Sequence, residues 1–260
     1  MKDILVVKYG SGLTAQEMGV DQGRIDGYAE QLASLEDRFN LIVVTSGAVA
    51  AGRSIWGSRG RPDSEGEAPS LQTYASLGSP RIFEAWQNAF ERTGKLAGAI
   101  PITHREIDDA SEGPVFQRSL RENMESGVAT IVNENDAVSD TELALLSYGG
   151  ENDGLASHVA RSVGASALIL LTNRGGLYDD IKKEIKVINE VDYEEILQMM
   201  LRRITNPEGK GRGGPYAKAK AAIDAARGGV DAHVASVNEP ITAILEARAG
   251  TYVPRIAKVA

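Results

Sequence analysis

Amide and carboxylate side chains are concentrated at two points of the 260-residue chain. Asn133-Glu134-Asn135-Asp136 directly follows the apolar run 128–132, and Glu151-Asn152-Asp153 opens a stretch with helical periodicity. In open α/β sheets, ligands bind outside the carboxyl ends of the strands. These side chains could hold a small polar substrate or order the cations around a phosphate, although a solvated acidic turn would have the same composition.

Three segments combine small residues with a strand or helix pattern. Lys8 ends the apolar run 4–8 and is followed by Gly10 and Ser11. Residues 45–52 form a second small-residue segment, and the glycine-rich stretch 209–214 precedes Lys218. Glycines let backbone amides approach an anion, and lysines beside such loops can neutralise a phosphoryl group. The Lys-Ser or Lys-Thr of a Walker-type loop is missing, as is a dinucleotide-binding fingerprint after the first strand.

Each of these charged residues also has an ordinary structural interpretation. Lys8 could extend its ammonium group from the strand end into solvent. Asp153 could be an aspartate that caps a helix or occupies its first turn. Lys218 could be a solvated helix lysine, as Lys220 is expected to be. The residue types alone leave these alternatives open.

The hydrophobic pattern predicts an α/β protein with a doubly wound, mainly parallel sheet between layers of helices. Nearly continuous apolar runs are typical of strands that are buried on both faces, and here they alternate with helical patterns. Pro80 is predicted to divide the second helix, because proline interrupts the interior hydrogen-bond ladder. The predicted strands are 4–7, 41–44, 96–102, 128–132, 167–171 and 230–235, and the predicted helices are 22–36, 71–90, 115–126, 153–163 and 216–227.

Six motifs occur in one order along residues 4–236. They are Lys8 with Gly10, Thr45-Ser46-Gly47-Ala48, Asn133 to Asp136, Asn152-Asp153, Leu170-Leu171-Thr172 with Gly176-Leu177-Tyr178, and the Gly-Gly-x-x-x-Lys that ends at Lys218. Together these motifs resemble the amino-acid kinase superfamily, most closely its glutamate 5-kinases. The resemblance implies a carbamate kinase-like fold in one domain over residues 1–260. Within it, a substrate lobe would span about 1–163 and a nucleotide lobe 164–260. The carboxyl-terminal RNA-binding-like domain of many bacterial members is not expected.

The resemblance also implies roles for individual residues. Lys8 and Lys218 would stabilise the transferring phosphoryl group, and Asp153 would organise the two lysines. Ser46, Asn133, Asp136 and Asn152 would bind the amino-acid substrate. The ATP-binding residues would be Gly10, Ser11, Gly47, Thr172, Asn173, Tyr178, Gly213 and Gly214, although Asn173 stands where the family usually has aspartate.

Composition excludes several classes of protein. With no cysteine, the chain has no disulfide and no thiolate site, and its three histidines are scattered, so no metal-binding residues are predicted. A formal net charge of −8 argues against general binding of nucleic acid. No apolar run is long enough to span a membrane, and no secretory signal is recognisable at the start. A cytoplasmic protein without nucleic-acid or membrane partners is expected.

The expected function is ATP-dependent phosphorylation of the γ-carboxylate of L-glutamate to an acyl phosphate, the first step towards proline. The cofactors would be ATP and Mg²⁺, and the resemblance implies a homo-oligomer, either a dimer or a tetramer. Two alternatives stay open: a kinase for another small carboxylic or amino acid, and a sensor that binds an amino acid or nucleotide without turnover.

Overall fold

The computed structural model describes residues 2–16, 19–60, 68–139, 151–204 and 214–257. Strands and helices alternate through most of these ranges, as the apolar runs predict. None of the helices in them is sufficiently long and apolar to traverse a lipid bilayer.

The described elements run in the following order. They are β1 (Asp3–Lys8), α1 (Ser11–Thr14), β2 (Ala15–Gln16), β3 (Gly19–Val20), α2 (Gln22–Ala33), β4 (Phe39–Val44), α3 (Ala48–Ser58), α4 (Leu71–Arg92), β5 (Leu96–Ile102), α5 (His104–Asp108), α6 (Glu112–Glu125), β6 (Val128–Glu134), α7 (Glu151–Ser162), β7 (Ala167–Thr172), a 3₁₀ turn (Glu190–Asp192), α8 (Tyr193–Ile204), α9 (Gly214–Arg227), β8 (Asp231–Ser236), α10 (Ile241–Leu245) and β9 (Thr251–Val253).

The chain forms two compact units. One consists of Tyr9–Leu143, and the other combines Met1–Lys8 with Ala144–Ala260. These bounds differ from the predicted division near residue 164. A division there would separate α7 from α9, against which it packs, and β1 from its sheet partner β7.

The Tyr9–Leu143 unit contains three parallel strands in the order β5-β6-β4. Val44 lies opposite Val132, and Ile102 lies opposite Glu134, so the three strands end at one edge of the sheet. Strand β6 is buried from its second residue to its last, as expected for a strand covered on both faces. The residues that follow β4 and β6 are therefore neighbours at this edge.

The other unit contains four strands in the order β1-β7-β8-β9. The first three are parallel, and β9 is antiparallel to β8. One row of this sheet joins Lys8, Leu170, Val234 and Thr251. The carboxyl ends of β1 and β7 consequently lie side by side.

Two glycines allow α3 and α4 to touch through their backbones. A Cβ atom added at Gly52 would lie 1.9 Å from the carbonyl oxygen of Tyr74, and one added at Gly78 would lie 1.9 Å from that of Ala48. Real Cβ atoms do not approach backbone so closely, so only glycine fits at either position. This contact fixes α3, whose first turn follows Ser46.

Helix α4 is continuous through Pro80, so the prediction that this proline divides the helix is wrong. Proline removes one N–H from the ladder and disturbs the preceding turn. Buried side chains on both sides of it, among them Tyr74 before and Trp86 and Phe90 after, hold the two halves in one helix. The hydrophobic burial of these aromatic groups outweighs the local cost.

Candidate functional site

A buried carboxylate joins two lysines in the unit that contains β1. Asp153 Oδ1 lies 2.7 Å from Lys8 Nζ, and its Oδ2 lies 2.7 Å from Lys218 Nζ. Lys218 also donates to Asp153 Oδ1 at 2.9 Å. The side chain of Asp153 is 1% exposed, that of Lys8 6% and that of Lys218 16%. The structure therefore brings together the three residues predicted to be catalytic.

Three different elements supply this cluster. Lys8 is the last residue of β1, Asp153 is in the first turn of α7, and Lys218 is in the second turn of α9. Helix α7 packs against both β1 and α9, which places its first turn between the two lysines. The ordinary interpretation of Lys8 and Lys218 as solvated lysines does not fit this arrangement.

Burial and charge act against each other on these groups. Burial lowers the pKa of Lys8 to about 8, although Asp153 acts to raise it, and Lys218 lowers it further. Burial also acts to raise the pKa of Asp153, but Lys218 and Lys8 outweigh it, so this pKa is below its usual value. Two ammonium groups on one carboxylate leave an excess positive charge, which an anionic ligand would neutralise.

The segment predicted to bind the nucleotide begins at the end of β7. Thr172 lies two residues beyond Leu170, the partner of Lys8 in the sheet, so it leaves the same edge as Lys8. Asn173 is exposed, and the Tyr178 hydroxyl donates to a backbone carbonyl oxygen at 2.9 Å. Gly214 is the first residue of α9, whereas Gly213 lies outside the described residues.

The predicted acceptor residues of the Tyr9–Leu143 unit meet at the edge where β4 and β6 end. Asn133 and Asp136 are both buried, and Asn133 directly follows Val132, whose pairing with Val44 ends the β4–β6 ladder two residues before Ser46. Both polar atoms of the Asn133 amide are buried without a hydrogen-bond partner in the described part of the chain. A buried amide in this state is unfavourable unless a ligand binds it. Asn152, the fourth predicted acceptor residue, is buried in α7 of the other unit.

The turn that contains Ser46 is held from three sides. Thr45 donates its N–H to Val132 O at 2.9 Å, and Trp86 Nε1 donates to Thr45 Oγ1 at 2.9 Å. The hydroxyl of Thr14 donates to Ser46 O at 2.7 Å. Sequence reasoning did not identify Thr14 or Trp86, because their partners are 32 and 41 positions away.

Three predicted phosphate-contacting residues lie at turns of this same unit. Gly47 precedes α3 and has a φ of 109°, a left-handed conformation that favours glycine. A Cβ atom there would also lie 2.8 Å from Thr14 Oγ1. Gly10 and Ser11 are at the turn that leads into the short helix α1.

Residues 3–236 match the amino acid kinase family. The chain belongs to this family. The resemblance indicated by the six motifs is thereby confirmed.

Within the amino acid kinase family, the chain is similar to glutamate 5-kinases. It is 36% identical over 248 residues to the glutamate 5-kinase of Pseudomonas putida, a match that covers 93% of this chain and 63% of the relative. It is 35% identical over 247 residues to that of Pseudomonas savastanoi pv. phaseolicola, covering 92% and 64%. The chain thus spans less than two thirds of the length of these curated relatives.

Solved structures of kinases share the fold. Giardia carbamate kinase aligns with a TM-score of 0.68 at 13% identity, covering 98% of this chain and 99% of that one. UMP kinase from Ureaplasma parvum aligns with a TM-score of 0.60 at 14% identity, covering 97% and 99%. The predicted fold, a mainly parallel sheet flanked by helices as in carbamate kinase, is confirmed.

The site offers lysines rather than metal ligands. In the ranges that the structure describes, no three His, Asp or Glu side chains converge as a metal-binding group. Both oxygens of Asp153 are occupied by lysines. Phosphate oxygens of a nucleotide and water are ligands that Mg²⁺ commonly takes beside few protein groups.

Proposed function

We propose that this member of the amino acid kinase family phosphorylates the γ-carboxylate of L-glutamate with ATP and forms an acyl phosphate. The name of its curated relatives supports glutamate as the acceptor. The observation that carries the chemistry is the buried contact of Lys8 and Lys218 with Asp153.

The reaction joins two anions, so charge is the main barrier. A carboxylate oxygen would attack the γ-phosphorus, a new O–P bond would form, and the bond from this phosphorus to the β–γ bridging oxygen would break, which releases ADP. The acceptor is already ionised near neutral pH, so no general base is needed. The Lys8 and Lys218 ammonium groups would neutralise the phosphoryl oxygens and the leaving oxygen.

Asp153 would keep the two lysines in place without reacting itself. Its carboxylate binds both ammonium groups and fixes their spacing, and its charge favours the protonated form of Lys8. The preorganised cations then need little rearrangement as charge shifts from the γ-phosphoryl group to ADP.

The amides and carboxylate of the predicted acceptor residues suit an amino acid. The Asn133 amide, which has no hydrogen-bond partner among the described residues, can bind a carboxylate through its NH₂ group and an ammonium group through its oxygen. Asp136 would pair with the α-ammonium group, and Ser46 and Asn152 would contribute further hydrogen bonds.

ATP would be held by Lys8, Lys218, Gly10, Ser11 and Gly47 at its phosphates, and by the segment from Thr172 to Tyr178. Mg²⁺ would enter with ATP and add positive charge at its phosphates. We also propose a cytoplasmic homo-oligomer of two or four copies whose partner is the small amino acid, with no nucleic-acid or membrane partner.

A hydroxylamine-trapping assay tests this proposal. With glutamate, ATP and Mg²⁺, the protein should give the hydroxamate of glutamate in preference to those of a panel of other carboxylic acids. If another acid in the panel is the better acceptor, the chain is a kinase with a different substrate. Binding of ligands without any hydroxamate would instead indicate a sensor.

Lysine variants test, in the same assay, whether Lys8 and Lys218 stabilise the transferring phosphoryl group. Lys8→Ala or Lys218→Ala should lower turnover by on the order of a hundredfold, as expected for the loss of one group that stabilises developing negative charge. Lys220→Ala is the matched control, because Lys220 is exposed and pairs with Asp224 in the same helix. Equal losses for Lys218→Ala and Lys220→Ala would contradict the assignment.

A further inference from the structure

Four consecutive backbone N–H groups, those of residues 174–177, are bound by side chains. Thr172 Oγ1 accepts the first and the second at 3.0 Å each. Glu184 Oε1 accepts the third at 2.9 Å, and Thr251 Oγ1 accepts the fourth at 2.8 Å. The loop that follows β7 is thus built on side chains from three places in the sequence.

Thr251 joins two stretches of this loop. Its hydroxyl accepts the N–H of Leu177 and donates to the carbonyl oxygen of Ile185 at 2.6 Å. Ile185 N in turn donates to Leu177 O at 2.7 Å, which closes a small ring of hydrogen bonds. Thr251 is fully buried in β9, and its own position is set by pairing with Val234 in β8.

The neighbouring glycine shows how closely the loop approaches this threonine. A Cβ atom added at Gly176 would lie 2.5 Å from Thr251 Oγ1 and 2.8 Å from Thr251 N. The chain therefore needs glycine at this position to bring the Leu177 N–H within reach of the hydroxyl.

Because these amides are bound internally, the loop has its shape before any ligand arrives. The N–H groups of residues 174–177 are thus already bound, which leaves side chains such as Asn173 and Tyr178 to contact a nucleotide in this stretch. Tyr178 is fixed by its own bond to the carbonyl oxygen of Arg174 at 2.9 Å.

We propose that Thr251 is a positioning residue for ATP, acting through the loop 172–185. The inference rests on the proposed function, since it requires ATP to be the ligand of this loop. Thr251 itself lies beyond residues 3–236, the part that matches the family. Its hydroxyl holds the loop in its binding conformation, and loss of the hydroxyl raises the fraction of loop conformations that cannot bind ATP.

The test is Thr251→Val, which keeps the volume of the side chain and removes the hydroxyl. We expect KM for ATP to rise about tenfold, the change that corresponds to loss of one buried hydrogen bond. Turnover at saturating ATP and KM for glutamate should stay within about twofold. Hydrogen exchange followed by mass spectrometry should become faster in a peptide that covers residues 174–186.

Two further variants separate positioning from general stability. Thr251→Ser restores the hydroxyl and should return KM for ATP to within about threefold of the original protein. Thr130→Val is the matched control, because Thr130 is also a fully buried strand threonine and accepts a hydrogen bond from Asn123 at 3.1 Å. It should leave KM for ATP and exchange at residues 174–186 unchanged.

The outcomes are distinguishable. If the unmodified protein forms glutamyl phosphate but Thr251→Val has an unchanged KM for ATP, the positioning role is wrong and the proposed function stands. Equal effects of Thr251→Val and Thr130→Val on KM for ATP and on exchange at residues 174–186 would also overturn the positioning role. If the unmodified protein transfers no phosphoryl group, the proposed function fails and the inference fails with it.

Discussion

Asp153 holds two ammonium groups in a place that is almost closed to solvent. Burying three charged groups is costly, and mutual pairing only partly offsets that cost. An arrangement of this kind is therefore weak evidence for a role in stability and better evidence for a role in binding charge. Removal of Asp153 would leave two buried cations without their carboxylate, so its loss should disturb the fold more than loss of either lysine.

The lowered pKa of Lys8 predicts a pH dependence. In the ligand-free protein this pKa is about 8, so the ammonium form is present below pH 8 and is lost as the pH rises through that value. Because the charged form is the one that binds phosphate, kcat/KM for ATP should fall above about pH 8. The profile of kcat should fall only at higher pH, since bound phosphate favours the ammonium group. Initial rates measured from pH 6 to 10 would show both profiles.

Lys8→Arg provides the control for this profile. Arginine stays protonated over the whole range, so the fall near pH 8 should disappear even if the rate is low throughout. If kcat/KM for ATP of Lys8→Arg also falls near pH 8, the fall is due to the titration of another group.

At the scale of elements, the contact of α3 with α4 positions the turn at Ser46. The two helices approach so closely that Gly52 and Gly78 face the backbone of the opposite helix. A methyl group at either position would have to move a helix, because a carbonyl oxygen cannot shift as an exposed side chain can.

Gly52→Ala should therefore lower the free energy of unfolding by about 3 kcal/mol, the upper part of the range for overpacked interiors. Gly27→Ala is the matched control: Gly27 lies inside α2, and a Cβ atom there would have no neighbour within 4 Å. It should raise this free energy by about 0.5–1 kcal/mol, because alanine is the better helix former. Urea unfolding followed by circular dichroism measures both, and similar values for the two variants would contradict the close contact.

The hydrophobic pattern of the sequence predicted the longer strands and helices well. The apolar run 128–132 corresponds to β6, and the helical pattern 71–90 corresponds to α4. The hairpin of β2 and β3 was not predicted, because two residues in each strand give no alternation. Strand β9 was missed for the same reason: it has three residues and depends on its pairing with β8.

The site was predictable only in part. The motifs identified Lys8, Asp153 and Lys218, but their distances depend on three elements that pack together. Thr251 carried no local signal, since the two residues it joins are 66 and 74 positions away. Such contacts follow from the order of strands in the sheet, which a single motif does not reveal.

At the scale of the whole molecule, Lys8 and Lys218 both belong to the unit formed by Met1–Lys8 and Ala144–Ala260. ATP at a hundred times its Kd should stabilise this unit by about 2.7 kcal/mol. For a chain of this size the gain corresponds to a rise in Tm of roughly 5–10 °C. Differential scanning calorimetry with and without Mg²⁺ and ATP would measure it.

Lys218→Ala should lose most of this rise, whereas Lys220→Ala should keep it. A rise of the same size in Lys218→Ala would place ATP away from the lysine cluster.

The same unit is assembled from two segments separated by residues 9–143, and this imposes an order of events during synthesis. Strand β1 leaves the ribosome before β7, and the N–H of Ser166 that binds Ile4 O is made 162 residues after Ile4. At a translation rate of roughly 5–20 residues per second, β1 waits about 8–30 s for β7. Residues 9–143 are complete before then and can fold during the interval. Lys8 therefore meets its carboxylate only after residues 9–152 have been translated, and the cell cannot obtain a working lysine cluster from a nascent chain that stalls before Lys218.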